Sequence, residues 1–457
     1  MITRRQLIDK IGSGFGTLAL ADMLHAGAVG PLDPKKPHFA PRATRVIFLF
    51  LNGGLSQVDS FDPKLGLIQR DGQPMPGPKV QTDRAAGNLM ASPFRFKKYG
   101  QSGIEVSEIF PKIGEHIDDF CVIRSMFSDN GNHTPSLFMM NCGFQLPGRP
   151  SLGAWVTYGL GSENRNLPGF VVLCPGLPNV GPQLWSSAFL PSPYQGTYLS
   201  IQETGLDRMV QNIRNPELGV AEQRRQVALL DKLNRGYLDR LGPQAPLEAG
   251  IRAMEVAFRM QAEVPEVFDI TKENEATRSR YGDSDFGRGC LMALRMVEHG
   301  VRMVQVYFGN FQPWDSHDDI RVHAKLAQQT DGPIANLIDD LKARGLFKDT
   351  LVIIGSEFGR TPMIQNSGLE KIGRGRDHNI FGFTTLLAGG GVKGGFVHGA
   401  TDEFGFRAIE KPVHVHDLHA TILHMLGLDH TRLTYRYSGR DFRLTDVAGN
   451  VVDEILA

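Results

Sequence analysis

Short apolar runs alternate with amphipathic stretches along the chain. The run Arg45 to Leu51 (RVIFLFL) is stopped by Asn52-Gly53-Gly54, the pattern of a strand buried on both faces. Similar runs occur at Phe120 to Arg124, Phe170 to Cys174, Val301 to Phe308, Thr350 to Ser356 and Thr384 to Ala388. Helical spacing covers 107–117, 151–160, 286–299, 319–344 and 417–426. Residues 206–262, rich in Arg, Gln, Leu and Glu, predict an inserted helical cap. The Pro-, Gly- and Ser-rich stretch 175–205 predicts loop. Strands alternating with helices, without internal repeats, predict an α/β sandwich with a mostly parallel sheet.

The N-terminus departs from this pattern. Arg4-Arg5 precedes a mildly apolar, Gly-spaced stretch from Ile11 to Leu24 and then Ala26-Gly27-Ala28, a small-x-small cleavage site. This predicts a twin-arginine-type export signal over 1–28, a linker over 29–42, and a periplasmic or other extracytoplasmic destination for the domain 43–457. Lys plus Arg and Asp plus Glu are both 49, so the chain lacks the basic excess of a nucleic-acid binder. No apolar run reaches the roughly 20 residues of a membrane span. Four cysteines in 457 residues are too few for a disulfide scaffold.

In open α/β sheets, ligands bind beyond the carboxyl ends of strands. Four of the predicted strand ends carry ligand-type residues. The ends after 45–51, 120–124, 301–308 and 350–356 bring Asn52; His133 and Thr134; Asp315 and His317; and Glu357 and Arg360. A later loop adds Arg376, Asp377 and His378. Ten of the fourteen histidines lie after residue 297. Carboxylate with imidazole suits a divalent ion: zinc, manganese or calcium. Each residue also has a plainer use. Asp315 suits a cap of the following helix, Glu357 a partner of Arg360, Thr134 a helix cap, and 377–378 a surface turn. His414, His416, His419 and His424 fit a helix capped by Asp417, with an apolar face of Leu418, Ile422, Leu423 and Leu426.

The segments LNGGLSQVDSFDPK, HTPSLFMMNCG, PWDSHDD, SEFGRTP, GRDHN, AGGGVKGG and DLHATILHMLG resemble domain-of-unknown-function family 1501. These are sulfatase-like proteins of the alkaline phosphatase superfamily. The resemblance implies a three-layer α/β/α sandwich with a metal site at the strand ends. It matches Asp315, His317 and His378 to metal ligands, Glu357 to a late-strand Asp, and Phe358 to that Asp's usual His or Asn neighbour. Asn52 stands where the superfamily has an Asp. His133-Thr134-Pro135-Ser136-Leu137 stands against Cys-x-Pro-Ser-Arg, so His133 replaces the formylglycine Cys and Leu137 the Arg. Thr134 is one position from the nucleophile slot.

Two functions follow. One is an exported metal-dependent hydrolase of sulfate or phosphate esters, acting on a sulfated or phosphorylated glycan or small ester. There the ion is held by Asp315, His317, Glu357, Asp377, His378 and Asn52, with Thr134, His133 and Arg360 as catalytic groups and Arg360 or Arg376 on the anionic oxygens. The other is a non-catalytic binding or assembly protein on the same fold. An oxidoreductase is disfavoured, because no GxGxxG follows the first strand and the cysteines do not cluster.

Overall fold

The computed structural model describes residues 31–457 apart from 78–81, 83, 165, 203–208, 210–218, 242–265 and 366–373. The expected export signal and much of the expected helical cap lie outside these residues. The strands used below are β1 (Arg45–Phe50), β2 (Ala86–Leu89), β3 (Phe120–Phe127), β4 (Phe170–Cys174), β5 (Thr197–Ser200), β6 (Met303–Tyr307), β7 (Thr350–Gly355), β8 (Gly359–Gln365), β9 (Arg376–Asn379), β10 (Phe383–Ala388) and β11 (Phe396–His398). The helices are α1 (His133–Cys142), α2 (Leu152–Leu160), α3 (Val220–Leu241), α4 (Asp285–Glu298), α5 (Val322–Ala343) and α6 (Val415–Met425). Helix α3 occupies part of the stretch expected to form the cap.

The main sheet has nine strands in the order β11-β3-β10-β7-β1-β6-β4-β5, with Val413–His414 pairing onto β3. Every pairing is parallel except those of β10 with its neighbours β3 and β7. β1 lies between β6 and β7, with Val46 opposite Met303 and Leu351. Its side chains alternate between two cores. Ile47 and Leu49 pack in one with Leu291 and Leu294 of α4 and Leu337 and Leu341 of α5. Val46, Phe48 and Phe50 pack in the other with Leu137 of α1, Trp155 of α2 and Leu418 of α6. This is a three-layer α/β/α sandwich. It explains why the central strands are apolar throughout, since each such side chain contributes about 1.5–3 kcal/mol on burial.

Several local expectations are corrected. The stretch 175–205 contains the edge strand β5, parallel to β4. The helix expected over 107–117 is confined to Pro111–Glu115, opened by Pro111 at its first position, and the strand Ile104–Ser107 precedes it. α6 is capped by His414, whose ring accepts from His416 N; the expected cap, Asp417, instead accepts from His414 N at 2.9 Å. Residues 376–379, read as loop, and residues 359–365, given no element, form β9 and β8 of a three-stranded antiparallel sheet with β2. Within the expected linker, Lys35 N donates to Leu160 O at 2.9 Å and Arg42 N to Met425 O at 2.8 Å.

Two core histidines set an acid limit on stability. His419 donates from Nε2 to Met140 O at 2.9 Å, and burial pushes its pKa down to about 3. Burial likewise pushes His323, packed edge-on against Trp314, down to about 4. Both titrate near 6.5 in the unfolded chain, which therefore binds more protons than the folded chain between these values. The stability they contribute is complete above about pH 6.5 and is lost as pH falls towards the folded values. Urea midpoints at pH 7.5, 5.5 and 4.5 are expected to fall steadily, and His419→Leu to flatten part of that slope. An unchanged slope in the variant would show that His419 is not kept neutral by its surroundings.

Candidate metal centre

Four strand ends meet at the carboxyl edge of the sheet. His133 is the first residue of α1, just after β3. Asp315 and His317 follow β6, Glu357 and Arg360 follow β7, and His378 lies on β9, shortly before the reversed strand β10. Because β10 runs against its neighbours, its leading end, not its trailing end, lies on the site side.

The turn after β1 makes this meeting possible. Gly53 has φ +115°, and a Cβ there would lie 2.6 Å from Asp315 N and 2.7 Å from Trp314 N. The loop carrying Asp315 packs directly on this glycine, and Trp314 N donates to Asn52 O at 3.2 Å. Trp314 anchors the loop in the core against Phe110 and Phe308. α1 is capped by Asn132, whose side chain accepts from Thr134 N at 3.1 Å, so the helix begins at the site with His133 fixed in its first turn.

The ligand-type atoms of His133, Asp315, His317 and His378 all lie within 4.8 Å of one another. Asp315 Oδ1 is the hub. It lies 2.8 Å from His317 Nε2, 3.1 Å from His378 Nε2 and 3.3 Å from His133 Nε2, and it accepts from Arg360 Nη2 at 2.6 Å. The other nitrogen of each ring is held by an oxygen. His133 Nδ1 donates to Glu357 Oε1 at 2.7 Å, His378 Nδ1 to Gly131 O at 2.6 Å, and His317 Nδ1 to Gln365 Oε1. A neutral imidazole that donates from Nδ1 keeps its lone pair on Nε2. Three lone pairs and a carboxylate oxygen thus converge on one point, and this donor set fits a divalent cation.

Protons and a cation compete for these Nε2 atoms: a ring that also carries hydrogen on Nε2 donates to Asp315 and has no lone pair for an ion. Burial alone would raise the Asp315 pKa, but hydrogen bonds from the three imidazoles and the charge of Arg360 hold it far below the usual carboxylate range. Burial also opposes protonation of His133, yet its bonds to Asp315 and Glu357 outweigh this and lift its pKa to about 8. Burial lowers that of His378. Glu357, fully buried, is kept ionised against its desolvation by the bond from His133 and by Gly53 N, which donates to both carboxylate oxygens at 2.9 and 3.1 Å.

The remaining candidates lie around this cluster. Glu357 sits behind His133 and outside the four-residue group. Asn52 is fully buried; its Nδ2 donates to Phe311 O, and its Oδ1 has no hydrogen-bond partner. Asp377 is also outside the group, its carboxylate accepting from Arg84 N at 2.7 Å and His378 N at 2.9 Å. Thr134 is exposed, and Asn179 Nδ2 donates to its hydroxyl at 3.3 Å. Arg360 is buried and spends its donors on Asp315 and on the carbonyls of Gly53, Gly54, Trp314 and Arg376. Arg376, also buried, makes a two-pronged ion pair with Asp59, at 2.7 and 3.1 Å. Neither guanidinium, as placed, is turned towards an incoming anion.

Sequence reasoning placed His133 in the nucleophile motif, whereas the structure groups it with the ligand-type residues. It missed Gln365 and the Gly131 carbonyl, which orient the other two rings. It also gave no packing role to Phe358, whose buried ring lies 4.8 Å from that of His133 and 4.6 Å from that of His378. Of the late histidines, His416 and His419 donate to the carbonyls of Gly143 and Met140, and His414 faces Asp129.

A family model described as "Protein of unknown function (DUF1501)" matches residues 43–456, and the chain belongs to that family. Comparison with curated proteins finds no match. Among solved structures, the chain is similar to a phosphonate monoester hydrolase of Agrobacterium radiobacter, at 11% identity and TM-score 0.37 over 85% of this chain and 74% of that one. It is similar to a sulfatase from Pseudoalteromonas sp., at 12% and 0.33 over 85% and 68%. A protein in the alkaline phosphatase superfamily from Vibrio parahaemolyticus matches at 8% and 0.34 over 88% and 71%.

Proposed function

We propose that this member of the DUF1501 family is an exported, divalent-metal-dependent hydrolase of sulfate or phosphate esters. The observation that carries the reading is the convergence of three Nε2 atoms on Asp315 Oδ1, each ring held from behind by an oxygen. His133, Asp315, His317 and His378 would hold the ion. Three imidazoles and one carboxylate favour zinc or manganese over calcium, which prefers an all-oxygen shell. A bound cation there supplies Lewis-acid polarisation of an ester oxygen. The chain adds Thr134, an exposed hydroxyl in the first turn of α1 and next in sequence to His133. The substrate class is a sulfated or phosphorylated glycan or a small ester. An extracytoplasmic location rests on the paired arginines and the Ala26-Gly27-Ala28 site.

One observation favours the second reading, a binding or assembly protein on this fold. Arg360 and Arg376 are both buried and engaged, so neither is free to neutralise the ester's charge.

Elemental mass spectrometry of protein purified without chelator or nickel, followed by a panel of nitrophenyl sulfates and phosphates, separates the readings. The hydrolase is expected to carry one divalent ion per chain, lost in His317→Ala and His378→Ala, and to turn over at least one ester. Metal without turnover supports the binding protein. No metal, even after supplementation, removes the metallohydrolase.

A further inference from the structure

We infer that Glu357 is a positioning residue that acts on the ion through His133, and that it does not bind the ion itself; this rests on the metal reading of the cluster. Its carboxylate is fully buried at the end of β7. Gly53 N donates to both of its oxygens, Ser356 Oγ donates to Oε2 at 2.9 Å, and His133 Nδ1 donates to Oε1 at 2.7 Å. These donors take up both oxygens on the far side of the His133 ring from the hub. The bond to Nδ1 fixes which nitrogen carries hydrogen, aims Nε2 at Asp315 and makes that nitrogen a stronger donor to a cation. Among the described residues, His133 is the one cationisable side chain paired with Glu357. A full negative charge is therefore kept in the core beside a ring that its fold position already confines. The other two rings are held from behind by neutral oxygens, of Gly131 and Gln365. His133 is thus the ligand whose donor strength the chain raises, and Glu357 is the group that raises it.

The test is a double-mutant cycle read by cobalt(II) affinity, with cobalt(II) alone titrated into the full chain and followed by its visible absorption. Glu357→Gln is expected to weaken binding about 10- to 100-fold. His133→Ala is expected to weaken it at least as much, and the double variant to match His133→Ala alone. Glu357→Asp keeps the charge but withdraws the carboxylate by one methylene. It is expected to lose affinity like the Gln variant, and it serves if the Gln variant does not fold. Additive losses would overturn the inference by making Glu357 a ligand in its own right. Unchanged affinity with a lower urea midpoint would overturn it by making Glu357 structural. Wild-type protein that binds no cobalt would instead remove the metal reading itself, and the inference with it.

Discussion

Asp315→Asn is expected to abolish stoichiometric zinc binding and to destabilise the metal-free protein by about 2–3 kcal/mol. The two effects have separate causes. Asp315 Oδ1 is the hub for three imidazoles, and the amide that replaces it brings no charge to the ion. Arg360, buried beside it, meets Asp315 at 2.6 Å, its closest carboxylate among the described residues. Removing one partner of a buried pair typically costs about 3–5 kcal/mol; Asp315 is 22% exposed, which lowers the figure. Calorimetric titration with zinc reads the first effect and urea unfolding without metal reads the second. An Asn variant as stable as the wild type would mean that the more distant charges of Glu357 and Asp377 suffice to balance Arg360.

Gly53→Ala tests the turn that joins the two halves of the site. At φ +115° an L-residue is strained by about 1–3 kcal/mol. Its Cβ also meets backbone on three sides, Asp315 N, Trp314 N and Gln312 O, all within 2.9 Å. Overpacking of this kind costs about 1–3 kcal/mol more, so about 4 kcal/mol is expected in total. Gly72→Ala is the control, because φ there is +74° but nothing lies within 4 Å of the added carbon. The urea midpoint should fall much further for Gly53→Ala, with zinc affinity reduced because the Asp315 loop is pushed off its seat. Equal losses in the two variants would leave backbone strain as the whole effect.

The sheet was legible from apolar runs because it is covered on both faces. Arg45–Phe50 and Phe170–Cys174 stand where those runs end. β8 and β9 were not legible. Their residues, GRTPMIQ and RDHN, are polar because they pack around ion pairs and carbonyls, so the alternation that marks a strand is missing. For the site, strand-end reasoning named His133, Asp315, His317 and His378, all of which meet. It also named Asp377, one residue from His378, whose carboxylate instead ties its own strand to Arg84 N. Adjacent residues on an extended segment face opposite ways, and sequence alone does not say which faces the cluster. The depth of Glu357 was not legible: a carboxylate at a strand end looks the same in sequence whether it joins the four-residue group or pairs with a ring behind it. The role of Arg360 depended on how many backbone carbonyls surround it, which no motif reports.

The reversal of β10 has a consequence for how the molecule assembles. Parallel strands supply the residues that follow them, whereas β10 supplies those that precede it, so the last imidazole arrives from the opposite chain direction. His133 meets Glu357 across 224 positions, and His378 meets Asp315 across 63. The local segment 315–317 holds only half of the cluster, so no early, locally ordered intermediate assembles the whole donor set. Long-range pairings of this kind form slowly. An ion held by this cluster would therefore report completion of the fold, and it would stabilise the folded chain to the extent that the unfolded chain does not bind it.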